Sequence, residues 1–131
     1  MKSHYRAVVI GGGVVGASTL YHLAKMGWND VVLVEKIEYT SGSTWHAAGL
    51  LPLFNMSYSV GKIHKYSVDL YQSLEEETGQ HVSFHKTGNL RLARNQERMD
   101  EYKRYCGTAS TIGVPFEMIG PAEIKKLWYK S

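Results

Sequence analysis

The chain of 131 residues contains a single cysteine, so no internal disulfide can form and no cysteine-based metal set exists. Its six histidines are dispersed without ligand spacing, and no metal ligand is assigned. A formal net charge of +3, with no basic block and no basic–aromatic interleaving, gives no footprint for a nucleic-acid partner. No apolar run approaches the roughly 20 residues that span a bilayer, so no membrane partner is expected. Repeats and low-complexity linkers are missing as well. What remains, at 44% hydrophobic and 21% charged residues, fits one ordinary globular domain.

Glycine, by contrast, is clustered. The apolar, β-branched run Tyr5–Ile10 reads as a strand buried on both faces of a parallel sheet. Gly11-Gly12-Gly13-Val14-Val15-Gly16 follows at once and contains G-x-G-x-x-G at Gly11, Gly13 and Gly16. In that pattern Gly11 permits the turn out of the strand, Gly13 lets the backbone approach a pyrophosphate, and Gly16 lets the next helix pack closely. The helix reads Val14 to Met26, with Val15, Leu20, Leu23 and Ala24 available to face the sheet and Gly27 as its stop. Its first amides and dipole end suit phosphate. A second strand, Val31–Val34, ends in Glu35, roughly 20 residues past the glycines, where a carboxylate takes the adenosine ribose hydroxyls. The same charge disfavours a 2′-phosphate and hence NADP. A dinucleotide site is the reading, with FAD and NAD unseparated.

Ser41-Gly42-Ser43-Thr44-Trp45-His46-Ala47-Ala48-Gly49 comes next. Small hydroxyl residues suit phosphate contacts, and Ser43 or Thr44 can equally cap a following helix. On residue chemistry the two readings stand level. This run resembles the flavin-attachment segment of the dimethylglycine dehydrogenase and sarcosine dehydrogenase family, FAD-dependent amine-oxidising proteins of the D-amino-acid-oxidase-like group. The similarity continues through Val60–His64, Leu74–Gln80 and Phe84–Ala93, and so covers nearly the whole chain.

The resemblance implies FAD joined covalently through a ring nitrogen of His46 to the flavin 8α carbon. A neutral imidazole is the nucleophile such a bond needs. The implied cofactor-binding set is Gly11, Gly13, Val14, Val15, Gly16, Glu35, Lys36, Ser43, Thr44, His46, Gly49 and Leu50, with no catalytic residue named. The implied reaction is oxidative demethylation of an N-methylated glycine, with electrons passing to an electron-transfer flavoprotein or oxygen. Tetrahydrofolate is implied only for a C-terminal region outside this chain. Two alternatives stay open: an amino-acid oxidase with non-covalent FAD, and a regulatory relative that keeps the fold without catalysis. Where the family carries a Phe-His-Pro-Gly-like stretch, this chain has Leu53-Phe54-Asn55-Met56-Ser57, which leaves the exact substrate open.

The expected fold class is α/β, a Rossmann-like βαβ start leading into the beginning of an α+β substrate-binding half. Residues 1–56 would hold the dinucleotide-binding start and attachment loop, and residues 57–131 the beginning of the second half. Apolar spacing predicts a helix over Tyr58–Thr78, with Val60, Ile63, Leu70 and Leu74 on its buried face and Glu75–Glu77 solvated. His81–Ala93 reads as extended chain broken at Thr87-Gly88-Asn89, belonging to a sheet in the family, with Arg91 more an exposed sheet arginine than a carboxylate ligand. A helix over Gln96–Ile112 is expected with Asn95 as cap, then a short strand at Pro115–Ile119. A last helix opens at Pro121 and leads to Ile124, Leu127 and Trp128. Two parallel strands are too few for an open dinucleotide sheet, so the chain reads as an N-terminal portion. With a strand starting so near Met1, the expected location is cytoplasmic, and mitochondrial only if further chain precedes Met1.

Overall fold

The computed structural model describes residues 2–128, which divide into two compact units at Leu50–Leu51. In the first unit, strand β1 (Ala7–Ile10) and strand β2 (Val31–Val34) pair in parallel, Ala7 with Val31 through Ile10 with Val34. Helix α1 (Val14–Lys25) makes the crossover and packs on both strands. The ladder starts two residues later than the apolar run does, although the Arg6 N–H still donates to the Asp30 carbonyl at 2.9 Å. Helix α1 closes as its spacing required. Gly27 adopts a left-handed φ of 84°, and the N–H groups of Gly27 and Trp28 return to Ala24 and Leu23.

Burial of β1 on both faces does not occur. Ala7 and Val9 are half-buried toward α1, whereas Val8 and Ile10 are exposed, because only one face of the sheet carries a helix among the described residues. The stripe on α1 is corrected too. Leu20 and Leu23 are half-buried with Gly16, four and three residues apart on one face, but Val15 is 76% exposed and Ala24 is exposed.

The second unit is helical: α2 (Tyr58–Thr78), α3 (Gln96–Ile112) and α4 (Pro121–Trp128). Ser57 and Asn95 cap α2 and α3 by accepting the N–H groups of Val60 and Arg98, and Gly79 and Gly113 end them in left-handed conformations. The core lies between α2 and α3, where Val68, Cys106, Ala109 and Val114 are buried and Gly61 faces the Ile112 side chain. On α2 the buried positions are therefore Gly61 and Val68, seven residues apart, while Val60 and Ile63 stay exposed.

Neither His81–Ala93 nor Pro115–Ile119 forms a strand, so the expected α+β character is not present among the described residues. Extended residues become a sheet only where a partner supplies ladder bonds, and here none does. Left-handed Ser83 and Gly88 interrupt the first segment further. Residues 129–131, where the sequence places the end of the last helix, and the Trp128 side chain lie outside the described residues. No described helix is long and apolar enough to cross a membrane.

Candidate functional site

The site is built where the connection after β2 folds back onto the turn after β1. Gly11 leaves β1 at φ 105° while its N–H still donates to the Val34 carbonyl at 2.8 Å, so the sheet runs up to the turn. A β-carbon on Gly16 would collide with the Gly11 carbonyl oxygen, the close helix-to-strand approach that the third glycine of the fingerprint serves. The Ala17 N–H is bonded to the Gly13 carbonyl at 2.9 Å. The amides of Val14, Val15 and Gly16 therefore precede it at the positive end of α1.

Gly12, between the fingerprint glycines, is buried. Its N–H donates to Glu35 Oε2 at 2.6 Å and its carbonyl accepts the Thr40 N–H at 3.0 Å. A β-carbon there would stand 2.5 Å from Cδ1 of the Tyr39 ring. The other oxygen of Glu35 accepts the N–H groups of Lys36 at 2.7 Å and Ile37 at 3.1 Å. These backbone donors, Gly12 first, hold the Glu35 carboxyl below its ordinary range, with a smaller pull from the Lys36 charge. Thr44 completes the seam. Its Oγ1 accepts the Val14 N–H at 2.9 Å, and a β-carbon on Gly13 would lie 2.9 Å from that oxygen.

Around this seam runs an open cleft of about 760 Å³ lined by Gly11, Gly13, Val14, Val15, Gly16, Glu35, Lys36, Ile37, the segment Ser41–Thr44 and Ala47. A smaller one of about 480 Å³ lies along Val32–Glu35 and Ile37–Tyr39, sharing Glu35 and Ile37 with the first. The larger is the one with the chemistry, since helix-end amides, a hydroxyl and a carboxylate converge there. Its lining suits a diphosphate beside a diol: donors at the α1 end, an acceptor at Glu35, and no side chain at Gly13 to obstruct a backbone-hugging ligand.

Of the residues singled out in the sequence, Gly11, Gly13, Val14, Val15, Gly16, Glu35, Lys36, Ser43 and Thr44 come together in this cleft. His46, Gly49 and Leu50 are not among its lining. His46 is exposed at the end of a 3-10 turn, Ser43–His46, with its ring 4.0 Å from that of Trp45. Gly49 takes a left-handed φ of 67°, and Leu50 is exposed at the end of the unit. Neither Ser43 nor Thr44 caps the turn they open; Gly42 holds that position, and the Thr44 hydroxyl serves α1 instead. Sequence reasoning passed over Gly12, Tyr39 and Thr40. Three consecutive glycines were the available signal for the first; nothing in the sequence marks the left-handed Thr40.

In the second unit, Asn55, which stands in the departing stretch, accepts the Ser57 N–H at 2.9 Å and so helps start α2. His64 Nδ1 lies 2.7 Å from the Pro52 carbonyl, which can only accept, so Nδ1 carries the hydrogen. The Arg91 guanidinium sits 5.2 Å from the Phe54 ring centre and 6.0 Å from that of Tyr105. Tyr105 donates its hydroxyl to Glu101 at 2.8 Å, which pushes the tyrosine up and the carboxyl down.

A family model described as FAD dependent oxidoreductase matches residues 6–130. The chain belongs to that family. It is 49% identical over 97% of its length to a dimethylglycine dehydrogenase of Rattus norvegicus, of which it covers 15%. It is 39% identical, again over 97% of its length, to a pyruvate dehydrogenase phosphatase regulatory subunit of Mus musculus, of which it covers 14%. Among solved structures it matches L-proline dehydrogenase from P. horikoshii with a TM-score of 0.85 and 33% identity, covering 96% of this chain and 33% of that one. The chain thus spans about 15% of the length of the first of these relatives.

Proposed function

We propose that this chain supplies the FAD-binding start of an enzyme that oxidatively demethylates an N-methylated glycine. The observation that carries the reading is the convergence of the first α1 amides, the Thr44 hydroxyl and the Glu35 carboxylate on one cleft, in a chain of the FAD dependent oxidoreductase family. Gly11, Gly13, Val14, Val15, Gly16, Ser43 and Thr44 hold the diphosphate. Glu35 and Lys36 face the adenosine ribose, Gly49 and Leu50 flank the flavin side, and His46 carries the flavin through a covalent bond. The His46 ring is exposed beside Trp45, which is compatible with a nucleophilic ring nitrogen.

Bound flavin supplies the acceptor for a hydride equivalent from the substrate N-methyl carbon. The substrate then leaves as an iminium, water adds to that carbon, and the carbinolamine splits into formaldehyde and the demethylated amine. An electron-transfer flavoprotein or oxygen would serve as electron acceptor, and tetrahydrofolate would take the one-carbon unit where a folate region accompanies this one. N-methylated glycine is chosen as substrate class on the likeness to dimethylglycine dehydrogenase. The test is anaerobic mixing of the full-length protein with N,N-dimethylglycine, then with sarcosine. Bleaching of the flavin band with one formaldehyde per flavin supports the proposal, and no bleaching with either sinks it.

The likeness to a phosphatase regulatory subunit favours a second reading, a non-catalytic relative. A flavin that binds tightly, bleaches with no amine and accompanies a stable protein partner would select it. Non-covalent FAD, released whole by acid, would instead select the amino-acid oxidase alternative.

A further inference from the structure

We infer that Glu35 is a positioning residue that shapes the phosphate-binding turn through the Gly12 amide, in addition to any contact it makes with a ribose. This rests on the FAD site proposed above. Three backbone N–H groups converge on this one carboxylate: Gly12 at 2.6 Å on Oε2, and Lys36 at 2.7 Å and Ile37 at 3.1 Å on Oε1. Both oxygens therefore already accept from the protein's own backbone, with a lone pair of Oε2 left over. Gly12 is buried, and its carbonyl is tied to Thr40 while the Tyr39 ring lies beside its α-carbon. The carboxylate is thus one of two hydrogen-bonded fastenings on a single glycine, and that glycine lies between Gly11 and Gly13, whose backbone defines the diphosphate seat.

All three partners are donors, so both side-chain oxygens must accept. Glutamine cannot do this in either amide orientation, because its NH₂ must face Gly12 on one side or Lys36 and Ile37 on the other. A ribose hydroxyl, which can donate or accept, would tolerate glutamine. That difference separates the two roles.

The experiment uses the full-length protein in a His46→Ala background, which removes the covalent bond. It compares this parent (called wild type in this comparison) with its Glu35→Gln derivative for equilibrium affinity toward FAD and toward its 2′,3′-dideoxyadenosine analogue, with amide exchange followed in both proteins. Positioning through Gly12 predicts that the variant loses about tenfold or more in affinity for both ligands, the scale of a lost charge-assisted bond. It also predicts faster exchange at Gly12 and Ile37, with Gly11, bonded to Val34 rather than to Glu35, unchanged. Equal affinity of the two proteins for the dideoxy analogue would overturn the inference. If the variant does not fold, wild type still decides: a Gly12 amide that exchanges as slowly as that of Gly11 supports the clasp, and a fast one overturns it. If wild type binds neither ligand, the FAD reading fails on its own while the exchange comparison still judges the clasp.

Discussion

The hydroxyl of Thr44 accepts the backbone N–H of Val14 at 2.9 Å, so the first helix is capped by a residue 30 positions downstream. A hydroxyl used this way keeps its own hydrogen, which it can offer to a phosphate oxygen at the same helix end. Thr44→Val keeps the shape and removes both functions. We expect a loss of about 1 kcal/mol in urea unfolding, together with weaker FAD binding when both proteins are compared in a His46→Ala background, and recovery of both in Thr44→Ser. A valine variant as stable and as tight-binding as wild type would show that the bond contributes nothing.

Gly16 and Gly12, two of the turn glycines that meet neighbours, should respond differently to alanine. At Gly16 the new methyl meets the Gly11 backbone, which cannot move without pulling on the sheet. We expect Gly16→Ala to cost about 3 kcal/mol, at the upper end of overpacking effects. At Gly12 the methyl meets the Tyr39 ring, which is 70% exposed and free to swing aside, so the cost should be smaller. Thermal unfolding of both variants checks the order, and a more damaging Gly12→Ala would contradict it.

Much of this was legible because local rules and tertiary contacts agree. The Asn95 cap, the left-handed Gly27 and the bounds of α2 and α3 follow from side-chain chemistry within a few residues of each position. Among the cleft residues, Gly11, Gly13, Gly16, the helix start and Glu35 were legible because the fingerprint encodes a strand, a turn and a helix together, whereas Lys36, Ser43 and Thr44 were assigned only through the family resemblance. What could not be read depends on partners distant in sequence. The Thr44–Val14 bond and the Glu35–Gly12 clasp join residues 30 and 23 positions apart, and no periodicity announces them. Residues 81–93 failed as strands for the same reason: Leu90 and Leu92 alternate correctly, but alternation does not supply a ladder partner.

The lowered Glu35 carboxyl gives stability a pH signature. Its folded-state pKa lies below the unfolded value, so the contribution is fully present above the unfolded pKa. It is lost as pH falls through the folded one. Glu101, lowered chiefly by the Tyr105 hydroxyl, and Asp100, lowered chiefly by Lys103, act in the same direction. Chemical denaturation of wild type and Glu35→Gln from neutral to acid pH should show a stability difference that is largest at neutrality and shrinks on acidification. A difference that grows toward low pH would reverse the assignment.

Covalent attachment makes a separate prediction. Wild-type full-length protein, denatured in acid, should keep flavin fluorescence on the polypeptide, and proteolysis should place it on the peptide containing His46. His46→Ala should release its flavin entirely under the same treatment. Flavin retained on the alanine variant would move the attachment elsewhere.

The most direct test of the account is a crystal structure of the FAD-loaded protein. It should show diphosphate oxygens within about 3 Å of the first α1 amides, the Thr44 hydroxyl turned toward them, and the adenosine ribose beside Glu35. A dinucleotide bound away from the Gly11–Gly16 turn would contradict it.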